Sequence, residues 1–339
     1  MLAYKYVYTV IGDSMRSKAF FINGGAGRVL CSIPALEKYY EESDDKDFII
    51  VCEGGTDFFK GHPTLYQRAY DHWHKNLFED KLINMDIVST EPYRVWEYYN
   101  QKCNLSQGFD IGINSKGVRA LPKPTLKISV EEQLTGKQII KEVKEKTKKD
   151  KVLVFQPFGR GTIVQDNMIT DPSGRSFEAI HVINIVKKLQ KDFAVVFMAE
   201  FGIDFEKHGC TSPVAVPQGA SLRHWAGIIN EADIFLGCDS VGQHIAYAVE
   251  TPAIVVIGST FEENVSYPDA EGFEVLDMGT DRRTYSPIRI TIDEVADRTN
   301  EGIMAMNDKI EDFIVESVTK LSAKVKKVKP ESISITTKK

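Results

Sequence analysis

Nowhere does the chain hold the run of about 18–20 consecutive apolar residues that a membrane-spanning helix needs. The first residues, MLAYKYVYTVIGDSMRSK, are broken by Asp13 and by polar side chains, so they read poorly as a secretory signal and work in the cytoplasm is the expectation. Cysteine is sparse and scattered: Cys31, Cys52, Cys103, Cys210 and Cys238 contain no Cys-x-x-Cys spacing, which argues against a zinc ribbon or a disulfide framework and for reduced, buried thiols. Basic charge is in the minority, 42 Lys and Arg against 48 Asp and Glu for a formal net charge of −6. A whole-surface basic field for nucleic acid is therefore absent, although a local patch is allowed. No segment repeats at a fixed period, so a solenoid is not expected.

What remains is the composition of an ordinary globular protein, 42% hydrophobic and 27% charged, and 339 residues suit two α/β domains better than one. The apolar run Ala19–Ile22, the glycine turn Gly24–Gly27, a helical pattern from Arg28 to Glu42 and the β-branched run Phe48–Cys52 form a βαβ unit, which predicts a parallel sheet. Residues before 19 are expected to add an edge strand or hairpin. Residues 56–121 are aromatic-rich and weakly periodic, and their aromatics are expected mostly in the core. Pro122-Lys123-Pro124 then breaks structure, and 129–151 reads as a polar helix whose lysine run (Lys141, Lys144, Lys146, Lys148, Lys149, Lys151) is a solvated face at the domain junction.

The α/β rhythm restarts with strands at Val152–Phe155, Phe193–Met198, Ile234–Leu236 and Ala253–Ile257. Helices are predicted at 177–189, at 222–230 with Ser221 as N-cap, and at 243–249. Thr291-Ile-Asp-Glu294 is a capping box that opens a last helix carrying Ile303, Met306, Ile310, Phe313, Ile314 and Leu321, and a basic tail follows Lys324. The domains are set at 1–140 and 150–290, with the last helix at 291–325 and the tail at 326–339. Two sheets joined by a linker imply a cleft between them.

The strongest cluster of chemically capable residues is Asp239-Ser240-Val241-Gly242-Gln243-His244, placed between a strand and a helix. A helix N-terminus there offers backbone N–H groups and partial positive charge to a diphosphate. The plainer alternative is that Asp239 or Ser240 caps the helix and His244 packs. Other signals are weaker. Asp45-Lys46-Asp47 lies in an acidic, solvated loop. His72 and His74 lack a third metal ligand at useful spacing, and Gly25-Ala26-Gly27 fails the dinucleotide pattern at its last glycine.

The segment Leu236–Thr260 resembles the donor-site signature of the heptosyltransferase-like glycosyltransferases, the family 9-like group. It is similar at Asp239, Ser240, His244, Pro252, Gly258 and Thr260. Gly25–Gly27 with Pro34-Ala35-Leu36, Gln156 to Gly161, Phe193 to Gly202 and Ser221 to Asp233 are similar to further segments in family order. The resemblance implies an α/β fold of the GT-B type, two Rossmann-like domains facing across a cleft, with the acceptor on the first domain and a nucleotide-sugar donor on the second. It implies inverting transfer from an ADP- or UDP-linked sugar to a saccharide acceptor such as a lipopolysaccharide core. No metal is demanded, because helix N-termini and arginines can neutralise the diphosphate, and no cofactor beyond the donor is expected. Gly242 stands one step later than the family glycine, whose place holds Val241. More consequentially, Arg28 stands where the family has the aspartate thought to be the general base, and a guanidinium accepts no proton near neutral pH.

The chemistry then needs a base on the acceptor hydroxyl and stabilisation of the departing diphosphate. Asp57 and His62 are the candidate bases, with Asp13 a weaker one, and each is otherwise an exposed loop residue. Arg28, Arg160 and His244 are expected to share the diphosphate, with Gly25, Ala26, Gly27 and Gly161 allowing close backbone approach and Gly242 and Gln243 lining the turn. Glu200, just past a strand, is placed to hold ribose hydroxyls or is a plain strand-end carboxylate. Three alternatives stay open. A hydroxymethylated DNA base as acceptor would be met by the lysine-rich segments. A non-catalytic nucleotide-sugar-binding protein would explain Arg28. An NAD-dependent oxidoreductase would use Glu53 on the ribose.

Overall fold

The computed structural model describes residues 16–165, 168–283 and 302–325. Asp13, any strand before residue 16, the Thr291–Glu294 capping box and the tail from residue 326 lie outside the described residues.

The first sheet holds β1 (Lys18–Ile22), β2 (Ile49–Cys52), β3 (Ala69–Asp71) and β4 (Asp86–Thr90) in the order β3-β2-β1-β4, every pairing parallel. Parallel strands need crossover connections, and α1 (Ala26–Glu42) supplies the first of them. It begins two residues before the apolar pattern does, because Gly25 serves as its N-cap. Two short helical pieces follow β4: α2 (Trp96–Tyr99) and α3 (Leu105–Asn114), the latter opened by a reciprocal capping box between Asn104 and Gln107.

The second sheet comprises β5 (Val152–Gln156), β8 (Ala194–Phe197), β9 (Val214–Ala215), β10 (Ile234–Cys238), β11 (Ala253–Ile257) and β12 (Phe273–Asp277). Its order is β12-β11-β10-β5-β8-β9, again all parallel. An antiparallel hairpin of β6 (Ile163–Gln165) and β7 (Met168–Thr170) projects after β5. Around the sheet lie α4 (Val130–Thr147), α5 (Ala179–Leu189), α6 (Leu222–Glu231), α7 (Val241–Ala248), α8 (Glu262–Val265) and α9 (Asp308–Lys324). Continuous apolar runs such as Ala253–Ile257 are buried along their whole length, as strands covered on both faces must be. The expected Ser221 N-cap is present, its hydroxyl accepting from the His224 amide.

Two expectations need correction. Residues 302–307 are not helical: Gly302 takes φ +69°, Asn307 caps the next turn by accepting from the Ile310 amide, and α9 starts at Asp308. Phe313 points outward, 53% exposed, while Ile314, Val318 and Leu321 carry the buried stripe. In the stretch 56–121, Phe58, Phe59 and Tyr98 are core, but Tyr66, Trp73, Trp96 and Tyr99 are exposed, because short elements there leave little interior to fill.

Each sheet has one place where the strand order reverses direction, at β1/β4 in the first and β5/β10 in the second. Crevices outside the carboxyl ends of strands at such reversals are where α/β sheets bind ligands. These two crevices face one another: an atom placed as Cβ on Gly25 would stand 3.3 Å from Arg160 Nη1, and one on Gly27 would stand 3.3 Å from His244 Cδ2.

Candidate functional site

The loop after β1 is shaped by glycine. Gly24 takes φ +88° and its amide donates to Glu53 Oε2 at 2.6 Å. A Cβ on Gly54 would lie 2.5 Å from the Gly25 carbonyl carbon and 2.7 Å from the Ala26 nitrogen, so the turn after β2 is seated on the start of α1. Arg28, in the first turn of α1, folds back across the loop. Its Nη2 donates to Glu91 Oε1 at 3.1 Å and its Nη1 to Oε2 at 3.5 Å. The guanidinium lies 4.7 Å from the Tyr93 ring centroid and 5.7 Å from that of Phe109. Glu91 immediately follows β4, whose Thr90 pairs in register with Ile22 and donates its hydroxyl to Phe21 O at 2.7 Å.

Across the crevice, the loop after β5 runs Pro157 to Thr162. Gln156 at its root ties loop to helix: Nε2 donates to Phe158 O and to Ser240 Oγ, each at 3.1 Å, and Oε1 accepts from the Gly242 amide at 3.0 Å. Gly242 leaves no room for a side chain, since a Cβ there would clash with Gln156 and with the Phe235 ring. The turn Asp171–Ser176, after the hairpin, braces the loop from behind: Ser176 Oγ accepts from the Gly159 amide at 2.9 Å and donates to Asp171 Oδ2. Arg160 is exposed and reaches Gly25, while Gly161 abuts Asp171. Phe201 packs on Phe158, ring centroids 4.9 Å apart, which sets the exposed neighbour Glu200 beside this loop.

Helix α7 starts at Val241, two residues earlier than expected, with Ser240 as an N-cap whose side chain makes no capping bond. Ser240 and Val241 are half-buried at the mouth; Asp239, Gly242, Gln243 and His244 are buried. Asp239 accepts from Gln243 Nε2 at 2.9 Å and from Thr260 Oγ1 at 3.1 Å, and Arg175 Nη1 lies 4.0 Å from its Oδ2. Burial pushes the Asp239 carboxyl up, with Arg175 and its two hydrogen bonds opposing. Gln243 also accepts from Ser266 Oγ at 2.8 Å, so its side chain is committed to the interior. His244 Nδ1 lies 2.8 Å from Tyr267 Oη, and burial pushes the imidazole down to about 4, keeping it neutral at ordinary pH.

The fold thus brings together Gly25, Ala26, Gly27, Arg28, Arg160, Gly161, Asp239, Ser240, Gly242, Gln243, His244 and Thr260, with Glu200 at the rim. Asp57 and His62 lie in the turn after β2. Asp57 forms an ion pair with Lys60 at 2.5 Å. His62 is buried, with Nε2 3.0 Å from Glu37 Oε1 on α1 and Nδ1 accepting from the Thr64 and Leu65 amides at 3.3 and 3.2 Å. Both nitrogens therefore serve the packing of the first domain.

Sequence reading missed four participants: Glu91, Tyr93, Gln156 as a tether, and Arg175. Burial pushes the Tyr93 hydroxyl up, Arg28 and Arg175 oppose it, and Asp239 and Glu91 push the same way. Arg175 had a usable signal, since Asp171-Pro172-Ser173-Gly174 is a turn sequence that returns the chain to the crevice. Glu91 and Tyr93 lie in the aperiodic stretch and had none. Among the described residues no group of three or more His, Cys, Asp and Glu side chains is arranged to hold a metal ion, and no helix is long and apolar enough to cross a membrane.

No protein-family model matches the chain, and no curated protein matches it in sequence. Solved structures do match in fold. A glycosyltransferase of family 9 from Veillonella parvula superposes with TM-score 0.61 at 11% identity, covering 91% of this chain and 98% of that one. The ADP-heptose lipopolysaccharide heptosyltransferase II of E. coli gives 0.58 at 10% identity, with 91% and 99% covered. The dodecameric iron-containing heptosyltransferase TibC, solved with ADP-D-β-D-heptose, gives 0.56 at 12% identity, with 91% and 77% covered. The chain therefore has the two-domain GT-B architecture of these structures, with parallel sheets in both halves.

Proposed function

We propose that the chain is a glycosyltransferase that moves a sugar from an ADP- or UDP-linked donor, held by residues 150–290, to an acceptor hydroxyl presented by residues 1–140, with inversion at the anomeric carbon. The observation that carries this reading is the mouth between the two strand-order reversals, where Arg175 lies 4.0 Å from Asp239 at the root of the half-open Ser240-Val241 turn and Arg160 reaches across towards Gly25. Guanidinium groups and a helix N-terminus are suited to a diphosphate, before and after it leaves. Small residues on both sides, Gly25 and Gly27 against Gly159 and Gly161, let the ligand meet backbone closely. Glu200, exposed just past β8, is the candidate for the ribose hydroxyls. The similar folds of transferases named for ADP-heptose support the donor class, and a saccharide acceptor is part of the same proposal. Metal-independent transfer is part of the proposal, the arginines taking the place of a bound cation.

A thermal-shift screen over nucleoside diphosphates and their sugars tests it. Ligand at about 100 times its dissociation constant stabilises by roughly 2.7 kcal/mol, so a bound donor raises the melting temperature, and Arg160→Ala abolishes the rise. If no nucleoside diphosphate shifts the wild-type protein, the donor site is not there. A second reading, donor binding without turnover, is favoured by Arg28 alone. Release of free nucleoside diphosphate from the donor separates the two.

A further inference from the structure

Transfer by inversion needs a group that takes the proton of the attacking hydroxyl, and Arg28 cannot be that group. We propose that Glu91 is the base and that Arg28 positions it; the proposal rests on the transferase reading above. Most other carboxylates and imidazoles around the crevice are already engaged. Asp239 spends its oxygens on Gln243, Thr260 and Arg175. Asp171 accepts from Ser173 and Ser176 to hold the hairpin turn. His62 and Asp57 serve the first domain's packing and an ion pair with Lys60. His244 is buried against Tyr267. Glu53 is exposed on the β2 side of β1 and takes the Gly24 amide.

Glu91 differs on three counts. It lies on the β4 side of β1, where the first sheet's strand order reverses and its crevice opens. Its side chain remains 29% exposed while its partner Arg28 is 13% exposed, so part of the carboxylate is open to solvent beside the ion pair. Its backbone is pinned by the Thr90 bond to β1, and its Oε1 also accepts from the Tyr93 amide at 3.3 Å, which fixes the carboxylate plane. Arg28 is itself held between Tyr93 and Phe109, so the fork aims the carboxylate without being free to swing.

In the step, the acceptor oxygen bonds to the anomeric carbon as its proton passes to a Glu91 oxygen. The bond from that carbon to the diphosphate oxygen breaks, and the electron pair leaves with the nucleoside diphosphate, whose charge Arg160 and Arg175 share. Protonated Glu91 then returns its proton to solvent.

The test uses the full chain, UDP-glucose and ADP-glucose as donors, and water as acceptor, with release of nucleoside diphosphate as readout. Glu91→Gln lowers release by about 100-fold or more, the scale of general-base catalysis, while the donor-induced rise in melting temperature is unchanged. Glu91→Asp keeps part of the rate, and formate restores part of it in Glu91→Ala. Arg28→Lys keeps the charge but loses the fork, and lowers kcat without moving donor binding. Release by Glu91→Gln within roughly threefold of wild type overturns the proposal and leaves the transferase reading standing. Donor binding by wild type without any release overturns the base and leaves a binding protein. If wild type neither binds nor cleaves either donor, the transferase reading and this proposal fall together.

Discussion

At the scale of single residues, the site depends on places where a methyl group cannot be added. Gly54 is the clearest, because a Cβ there meets only backbone: the Gly25 carbonyl carbon, the Ala26 nitrogen and, at 2.8 Å, the Gly24 oxygen. No flexible side chain can yield, so Gly54→Ala must push the loop off β2. Overpacking of this kind costs about 1–3 kcal/mol. In urea the variant's midpoint falls, and its donor-induced thermal shift falls with it. Gly112, inside α3 with nothing near its missing Cβ, is the control: Gly112→Ala is expected to gain about 0.5–1 kcal/mol because alanine favours the helix. A midpoint for Gly54→Ala equal to wild type would mean the loop is not seated as described. The glycine run 24–27 was visible in the sequence as a turn; the dependence on Gly54 was not, because its partners belong to another strand's loop.

At the scale of elements, the most exacting contact is between α4 and α6. A Cβ on Gly136 would come closer than 3.0 Å to the Gly227 carbonyl, and a Cβ on Gly227 closer than 3.0 Å to that of Glu132. The helices touch backbone to backbone, and Arg223 clamps the crossing with Nε on Glu132 at 2.7 Å and a further bond to the Lys127 carbonyl. Gly136→Ala and Gly227→Ala are each expected to cost about 1–3 kcal/mol, against the usual helix preference for alanine. The exposed Lys141→Glu and Lys146→Glu stay within about 0.5 kcal/mol of wild type. Denaturant melts of the four variants check the contrast; equal midpoints would dismiss the close crossing.

This is also where legibility divides. Strands such as Ala253–Ile257 and the Ser221 cap could be read directly, because apolar runs and capping chemistry are local. The polarity of α4 suggested a solvated junction helix, and its lysine face is indeed outward. Its docking side is only Gly136, Ile140 and Val143, too narrow a stripe for periodicity to announce. Glu91 escaped notice for a related reason: its meaning comes from Arg28, distant in sequence, and from a β4 whose residues are mostly exposed and so carry no apolar alternation.

At the scale of the whole molecule, the two sheets are joined through buried polar groups that no sequence pattern reveals. Asn264 donates to the carbonyls of Tyr98 and Cys103, both at 2.9 Å, and Tyr267 Oη bridges His244 of α7 and Cys31 of α1, 2.8 and 3.7 Å away. His244 therefore sits at the seam, and its protonation is linked to folding. Its folded value of about 4 lies below the ordinary 6.5. Between those two values the unfolded chain binds a proton that the folded chain refuses, so stability is complete above pH 6.5 and declines as pH falls towards 4, by about 3 kcal/mol in all. Asp239, pushed up by burial, works with the opposite sign, holding a proton in the folded state that is lost as pH rises. The two are separated by His244→Gln, which can still bond Tyr267 but cannot titrate. Wild type is expected to exceed this variant in stability near pH 7, and the gap should narrow by about 3 kcal/mol as pH falls to 4, measured as urea midpoints at matched ionic strength. A gap that stays constant would mean the imidazole is solvated and the seam open. A neutral His244 also adds no positive charge at the start of α7, so under the proposed function the charge of a diphosphate falls to Arg160 and Arg175.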